Sequence, residues 1–323
     1  LFVLTSFCGS FLPLIIFLYV KKIADDKTAF FSFLLLISSP YLVHVSLSML
    51  SESVGLFFFF LSLYMSELKR YKSAGFILSI SFFARPSYLI LVMSFALYLK
   101  LFKRESIKDI MLFFAIGAAI FVLYLLAVNG FLYFYEAKRF LIGHFNVWGR
   151  GQNSNIGWFE QIVTIVNLPF ILLTVVFFRY RRKFMPLYML FLSYFVWMLF
   201  VQNPDNLRHI VPLVFIGSIL IADIVHKENI LISFILFFNL FFVFKYDAKL
   251  SPADQIILRL EGSDKIVLSN RSVEILRESG LRVFDNYYLN SSEYYVKNKN
   301  SCTVTAKKPK DGKYEIFYPR FVG

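Results

Sequence analysis

Long apolar blocks without charge constrain this chain more than any other feature of its sequence. The block from Phe184 to Val201 contains no charged residue, and hydrophobic residues make up 58 % of the chain against 17 % charged residues. A bilayer core requires about 20 consecutive apolar residues in a helix. The pattern predicts an all-α polytopic membrane protein with about ten apolar spans. We expect them near 1–20, 28–45, 48–66, 73–86, 87–99, 109–128, 158–178, 184–201, 209–225 and 229–244.

The formal net charge of +13 lies mostly in short loops between the apolar blocks. Lysine and arginine concentrate in cytoplasmic loops of membrane proteins, so this placement indicates membrane topology rather than a nucleic-acid partner. The first, third, fifth, seventh and ninth connections are therefore predicted to be cytoplasmic. Their cations are Lys21, Lys22, Lys27, Lys69, Arg70, Lys72, Lys100, Lys103, Arg104, Lys108, Arg179, Arg181, Arg182, Lys183 and Lys227. The other connections, and everything after Lys245, are predicted to face the outside.

Residues 73–99 are too few for two full spans, yet a single span would place two basic loops on opposite sides. We expect two short helices that turn at Arg85-Pro86-Ser87 below the outer surface. Proline ends a helix, and backbone groups freed at that depth must be buried in protein or wetted. The turn therefore predicts a water-filled cavity that opens outward.

The composition divides the chain into a transmembrane domain, 1–245, and a small extracytoplasmic α/β domain, 246–323. In the second part we expect helices at 252–260 and 271–279, strands at 265–269 and 281–285, and a candidate third strand at 313–318. The chain begins at Leu1 inside an apolar block that lacks a basic start and a small-residue cleavage site. We therefore expect an N-terminally truncated fragment.

The strongest candidate site residues are predicted at the outer ends of spans. A carboxylate in the first helical turns, as expected for Glu52, requires a metal, a partner or a functional reason at that depth. The alternative is a carboxylate favoured by a helix N-terminus at the interface. At the predicted turn, the guanidinium of Arg85 suits a phosphate because it stays charged and donates a planar fork, or else it reaches up to lipid headgroups.

Two further groups of polar residues are candidates for contacts at the outer side. Asp205, Arg208 and His209 lie where an outer loop enters a span, and they either hold a phosphate or mark an interface. His144 and Arg150 lie in a Gly/Asn-rich outer loop that either covers a site or is a solvated loop without function.

Several function classes lack their signatures in this sequence. It contains no P-loop, no dinucleotide fingerprint, no His-x-x-Glu-His and no serine nucleophile elbow. No predicted span carries an ionisable residue near its middle, which weakens the hypothesis of an ion-coupled transporter.

Four segments, taken in order, resemble the GT-C superfamily of membrane glycosyltransferases, in particular prokaryotic relatives of the protein mannosyltransferases and aminoarabinose transferases. The segments are Ser38-Ser-Pro-Tyr, Ser48-Met-Leu-Ser-Glu-Ser, Ser73-Ala-Gly-Phe-Ile-Leu-Ser-Ile-Ser-Phe-Phe-Ala-Arg-Pro and Asn206-Leu-Arg-His-Ile-Val-Pro. Each segment is short, and their order and spacing over roughly residues 1–225 carry the resemblance.

The resemblance implies a multi-pass cell-membrane enzyme that moves a sugar from a polyprenyl-phosphate donor to a protein, lipid or glycan acceptor, usually with inversion. The family places its general base in a first outer loop, which we expect to precede Leu1. Glu52 matches a second acidic position near the donor phosphate, with a catalytic role there and often a divalent metal such as Mg or Mn. Arg85 matches an Arg/Lys-Pro position, and Arg208 and His209 match the pair before a late proline; all three are expected to bind the donor phosphate.

Two other function classes stay open at this point. One is a flippase or permease for lipid-linked carbohydrate, and the other is a membrane scaffold whose outer domain binds partners. An upstream span followed by an outer loop with paired acidic residues would favour the enzyme.

Overall fold

The structure is a computed structural model, and it describes only part of the chain. The described residues are 2–47, 51–103, 107–132, 134–135, 138, 182–202, 207–225, 239–240, 257, 266–269, 279–281, 283–285, 301–304 and 316–317. The predicted span at 158–178, and that at 229–244 apart from residues 239–240, lie outside these ranges. The chain divides into two compact units, Leu1–Tyr246 and Asp247–Gly323.

The described part of the first unit is helical. Its helices are α1 (Phe2–Ile23), α2 (Asp26–Ile37), α3 (Pro40–Leu47), α4 (Ser51–Glu67), α5 (Tyr71–Ala84), α6 (Leu89–Phe102), α7 (Ile107–Asn129), α8 (Met185–Val201) and α9 (Val211–Val225). Short 3-10 turns at Pro86–Tyr88, Arg182–Phe184 and Leu207–Ile210 precede α6, α8 and α9. Two helices among these, α1 from Val3 onward and α7, are long and apolar enough to cross a membrane.

One predicted span is wrong as a single element. The block 28–45 does not form one helix, because α2 ends at Ile37 and α3 begins at Pro40. Proline disfavours the helical conformation in the residue before it and lacks the N–H that would continue the ladder. Ser38 turns its hydroxyl back to the carbonyl of Leu35, which satisfies one acceptor at the end of α2.

Several ion pairs lie at one end of the first unit. We call this end, which contains Asp25, Glu67, Lys103, Lys183 and Asp223, the basic end. Lys183, just before α8, has its Nζ 3.6 Å from Oδ1 of Asp223 near the end of α9 and 3.8 Å from Oδ2 of Asp25 between α1 and α2. Lys103, just after α6, has its Nζ 2.6 Å from Oε1 of Glu67 at the end of α4.

The directions of α1 and α4 show that these ion pairs share one end. The two helices run parallel, since Ser6 donates to the carbonyl of Ser46, a few residues before α4, while the rings of Tyr19 and Phe60 lie 6.3 Å apart. The final turns of both helices therefore lie together. The start of α4, the end of α5 and the start of α9 then lie at the opposite end.

Small residues allow the central helices to approach closely. Between α4 and α5, Ser62 donates to the carbonyl of Ala74 over 2.8 Å. Between α5 and α7, a Cβ on Gly75 would collide with the carbonyl of Ile110, and one on Gly117 would collide with the hydroxyl of Ser79. Close contact through glycine and serine is the usual way in which helices pack where no hydrophobic effect drives them together.

In the second unit, the described residues include strands β1 (Ile266–Ser269), β2 (Val283–Asp285), β3 (Ser301–Val304) and β4 (Ile316–Phe317). They form a parallel sheet in the order β2-β1-β3-β4. Three strands fall within predicted segments, whereas β3 was not anticipated. Parallel strands need crossover connections. The predicted helices of this unit lie outside the described residues except at residues 257 and 279, so the α/β domain stays a prediction.

Candidate functional site

A buried ion pair lies at the end opposite the basic end. Nη2 of Arg85 is 2.8 Å from Oε1 of Glu52. The Glu52 side chain is 1 % exposed and the Arg85 side chain 13 %. Nη1 of Arg85 also donates to the hydroxyl of Ser51 over 3.3 Å. Two residues predicted from the sequence as site candidates are thus in direct contact, with a third polar group beside them.

Local sequence explains why the pair forms there. Pro86 forces Arg85 out of the helical region, and Arg85 accordingly has φ −146° and ψ 90° and ends α5. Its N–H still bonds the carbonyl of Ser81, so the backbone at the turn remains satisfied. Glu52 lies in the first turn of α4, which runs antiparallel to α5. The start of one helix therefore meets the end of the other, as expected for the turn at Arg85.

The turn packs against the neighbouring helix α8. Tyr88 ends the 3-10 turn that follows Arg85, is fully buried and meets the ring of Tyr194 edge-on, with centroids 6.3 Å apart. Tyr194 precedes the end of α8 at Val201 by seven residues, or about 10 Å along the helix. Since α5 and α6 have 14 residues each, they extend only about 21 Å from the basic end.

A glycine on α4 makes room for the turn. A Cβ on Gly55 would lie 2.7 Å from Cε2 of Tyr88 and 3.0 Å from Cβ of Arg85. The carbonyl of Gly55 accepts from the hydroxyl of Ser81 over 2.7 Å, which fixes α4 against α5 one turn from the ion pair. Gly55 thus sets how closely Arg85 and Tyr88 approach the helix that carries Glu52.

The electrostatics of the pair decide what it can do. A buried guanidinium without a counter-charge is strongly unfavourable, and the Glu52 carboxylate offsets part of that cost. The guanidinium of Arg85 still has an N–H donor that is not used, because its Nε is buried without an acceptor among the described residues. Arginine has five N–H donors and favours carboxylate and phosphate oxygens. The arrangement is therefore a fixed cation whose guanidinium N–H donors are only partly used by Glu52 and Ser51.

The remaining predicted site residues are placed only in part. His209 lies in the 3-10 turn before α9, buried, at the same end of the unit as Glu52 and Arg85. Arg208 belongs to the same turn, but its side chain lies outside what the structure describes. His144, Arg150 and Asp205 also lie outside the described residues, so their predicted contacts stay predictions.

A divalent metal at Glu52 was expected from the resemblance, and the described residues do not fit one by themselves. No group of three or more His, Cys, Asp or Glu side chains that could hold a metal ion lies together in the described part of the chain. Glu52 instead has the guanidinium of Arg85 as its neighbour.

Sequence reasoning missed the residues that support the pair. Ser51, Gly55, Ser81, Tyr88 and Tyr194 all bear on its position. The available signal was the presence of small residues on facing positions of two apolar helices, which indicates close packing in membranes. That signal predicts a helix–helix interface but does not show which helix is the partner. The contact with α8 could therefore not be predicted.

Comparisons of the chain with models of protein families, with curated proteins and with solved structures found no match.

Proposed function

We propose that the chain is part of a multi-spanning membrane glycosyltransferase that takes a sugar from a polyprenyl-phosphate donor. The proposal rests on the resemblance carried by four sequence segments and on one structural observation. That observation is the buried Arg85, held by Glu52 and Ser51 at the turn between two short helices. A lipid-linked sugar phosphate needs a fixed cation, and the Glu52–Arg85 pair provides one.

Membrane insertion is supported by the surface of the first unit. The helix α7 is 23 residues long and has large apolar side chains exposed along its length, including Leu112, Ile120 and Leu123. A core helix of a soluble protein would bury such a face. The ion pairs at the basic end match the predicted cytoplasmic connections, so the Glu52–Arg85 pair is assigned to the outward side.

In the proposed reaction, an acceptor hydroxyl oxygen bonds to the anomeric carbon of the sugar. The bond from that carbon to the phosphate oxygen breaks, and the polyprenyl phosphate leaves with the bonding electrons. Arg85 stabilises the negative charge that develops on the leaving phosphate, since a preorganised donor interacts more strongly as charge accumulates. A carboxylate base takes the hydroxyl proton, and the resemblance assigns that base to a first outer loop.

Glu52 acts in this scheme as a positioning residue. Its carboxylate fixes the plane of the Arg85 guanidinium and offsets the cost of a buried charge before the donor binds. The uncommitted donors of Arg85 are then directed by a rigid pair rather than by a flexible side chain. This assignment places Glu52 beside the donor phosphate, as the resemblance implies, while its effect on the phosphate passes through Arg85.

The direct test is transfer by the full-length protein in liposomes, supplied with a panel of radiolabelled polyprenyl-phosphate sugars and membrane extract as the source of acceptors. We expect incorporation of label into acceptor from at least one donor. Well-folded protein that transfers nothing across the panel, but moves labelled donor between leaflets, would contradict the proposal in favour of a flippase. If the protein neither transfers sugar nor moves donor between leaflets, but specifically captures a protein partner, the result would favour a scaffold.

A further inference from the structure

Exposed cations cluster where α5 and α7 begin. Lys69 and Arg70 lie in the turn before α5, Lys72 lies in its first turn, and Lys108 lies in the first turn of α7; all four are exposed. The two helices touch within one turn of these residues, at Gly75 and Ile110. We call Lys69, Arg70, Lys72 and Lys108 the α5–α7 basic patch. The carboxylate of Asp109 is the acidic group that follows directly, so cations remain in excess.

The helix α7 carries an apolar stripe directly below this patch. Its large exposed side chains recur every three or four residues from Lys108 onward, at Leu112, Ile116, Ile120 and Leu123. The opposite face of α7 packs on α5, through Phe114 with Phe82 and through Phe121 with Phe83. The stripe is thus a separate face of the helix, apolar along its length and cationic at the basic end.

Lys72 connects the two parts of this surface. Its Nζ lies 5.7 Å from the centre of the Phe113 ring on α7, within the range of a cation–π contact. The cation of α5 is therefore held over the first turns of α7. A ligand that lies on the α7 stripe has its polar end beside Lys72 and Lys108.

We propose that the α5–α7 basic patch and the α7 stripe bind an anionic phospholipid of the leaflet at the basic end. The phosphate headgroup contacts Lys69, Arg70, Lys72 and Lys108, and the acyl chains lie along Leu112, Ile116 and Ile120. Clustered cations beside a membrane helix attract anionic headgroups, and the apolar stripe supplies the matching surface for the chains. The proposal rests on the membrane placement given above, but not on sugar transfer.

The occupant of the stripe is identified by photocrosslinking. The full-length protein carrying Ile116→p-benzoylphenylalanine is reconstituted in vesicles of phosphatidylcholine and phosphatidylglycerol, irradiated and analysed by intact mass. We expect adducts with phospholipid, enriched in phosphatidylglycerol over its share of the vesicle. An intramolecular crosslink, a dimer, or adducts in the vesicle ratio would overturn the proposal.

The headgroup contact is tested by lipid retention in native mass spectrometry. The variant Lys69→Ala/Arg70→Ala/Lys72→Ala should retain phosphatidylglycerol roughly a hundredfold less than wild type, since each of the three cations near a headgroup contributes about a fivefold factor. The matched control Lys21→Ala/Lys22→Ala/Lys27→Ala removes three exposed cations from the last turn of α1 and the first turn of α2, and it should retain phosphatidylglycerol like wild type. Equal loss in both variants, or no loss in the first, would overturn the proposal. Sugar transfer is measured on the same samples, so that a failure of the lipid-binding proposal is distinguished from a failure of the proposed enzyme activity.

Discussion

Arg85 and Glu52 form an ion pair of 2.8 Å between the end of one short helix and the start of its antiparallel neighbour, with Glu52 almost completely buried. The pair couples the local effect of Pro86 on α5 to the packing of α4. Its burial makes each charge dependent on the other.

Removing one charge should be more damaging than removing both. Glu52→Leu leaves a buried, unpaired guanidinium, and Arg85→Met leaves a buried carboxylate; each should lower the free energy of unfolding by about 3–5 kcal/mol. The double variant should recover much of that loss. Thermal unfolding in detergent, followed by intrinsic fluorescence, gives the comparison.

The matched control for this cycle is Lys21→Ala, because Lys21 pairs with Asp26 at the surface, where the side chains are 52 % and 75 % exposed. It should change stability by less than about 0.5 kcal/mol. Single variants as stable as wild type, or a double variant no better than its weaker parent, would show that the charges are not coupled.

Gly55 should be intolerant of even one methyl group. Gly55→Ala places a carbon 2.7 Å from the Tyr88 ring, so the turn must shift away from α4. We expect a loss of about 1–3 kcal/mol by overpacking, measured as a lower unfolding midpoint. Adding Tyr88→Leu, which removes the ring, should restore part of the loss. No recovery in the double variant would place the strain elsewhere.

The serine hydroxyls between α4 and α5 should contribute modestly and independently. Ser62→Ala and Ser81→Ala each remove one interhelical bond, and each should cost about 0.6 kcal/mol. Ser193→Ala is the control, because that hydroxyl bonds a carbonyl within its own helix, α8. If Ser193→Ala were as costly as the other two, interhelical bonding would not explain their effect.

Topology can be measured by cysteine labelling in intact cells, in a background with Cys8→Ala and Cys302→Ser. Positions Lys69→Cys and Arg181→Cys should react with an impermeant maleimide only after permeabilisation, since the basic connections are assigned to the cytoplasm. Asn153→Cys and Asn290→Cys should react in intact cells. Labelling of Lys69→Cys or Arg181→Cys from outside would reverse the assignment.

In the first unit, the positions of the helices were predicted from the sequence, whereas the contacts between the helices were not. Helical periods and proline positions are local, so the two short helices around Arg85 and the long helix α7 were foreseen close to their bounds. The break before Pro40 was missed, because hydropathy alone does not reveal where a single apolar block is divided.

Glu52 and Arg85, the charged residues of the candidate site, were predicted from the sequence, whereas the residues that support their contact were not. Glu52 and Arg85 were selected because ionisable groups within apolar segments need a reason. Their direct pairing depends on the antiparallel approach of α4 and α5, which Gly55 permits. The contact of Tyr88 with Tyr194 joins segments far apart in sequence, and no local pattern specifies such a partner.

The most direct measurement of the central claim is sugar transfer by Arg85 variants of the full-length protein. Arg85→Ala should lower kcat/KM roughly a hundredfold or more, as expected when one preorganised donor to a developing negative charge is removed. Arg85→Lys should recover part of the activity, because the charge persists while the planar fork is lost. Lys103→Ala, which removes an ion pair at the basic end, is the control and should transfer normally. Near-normal transfer by both Arg85→Ala and Arg208→Ala would contradict the assignment of the donor phosphate to this site.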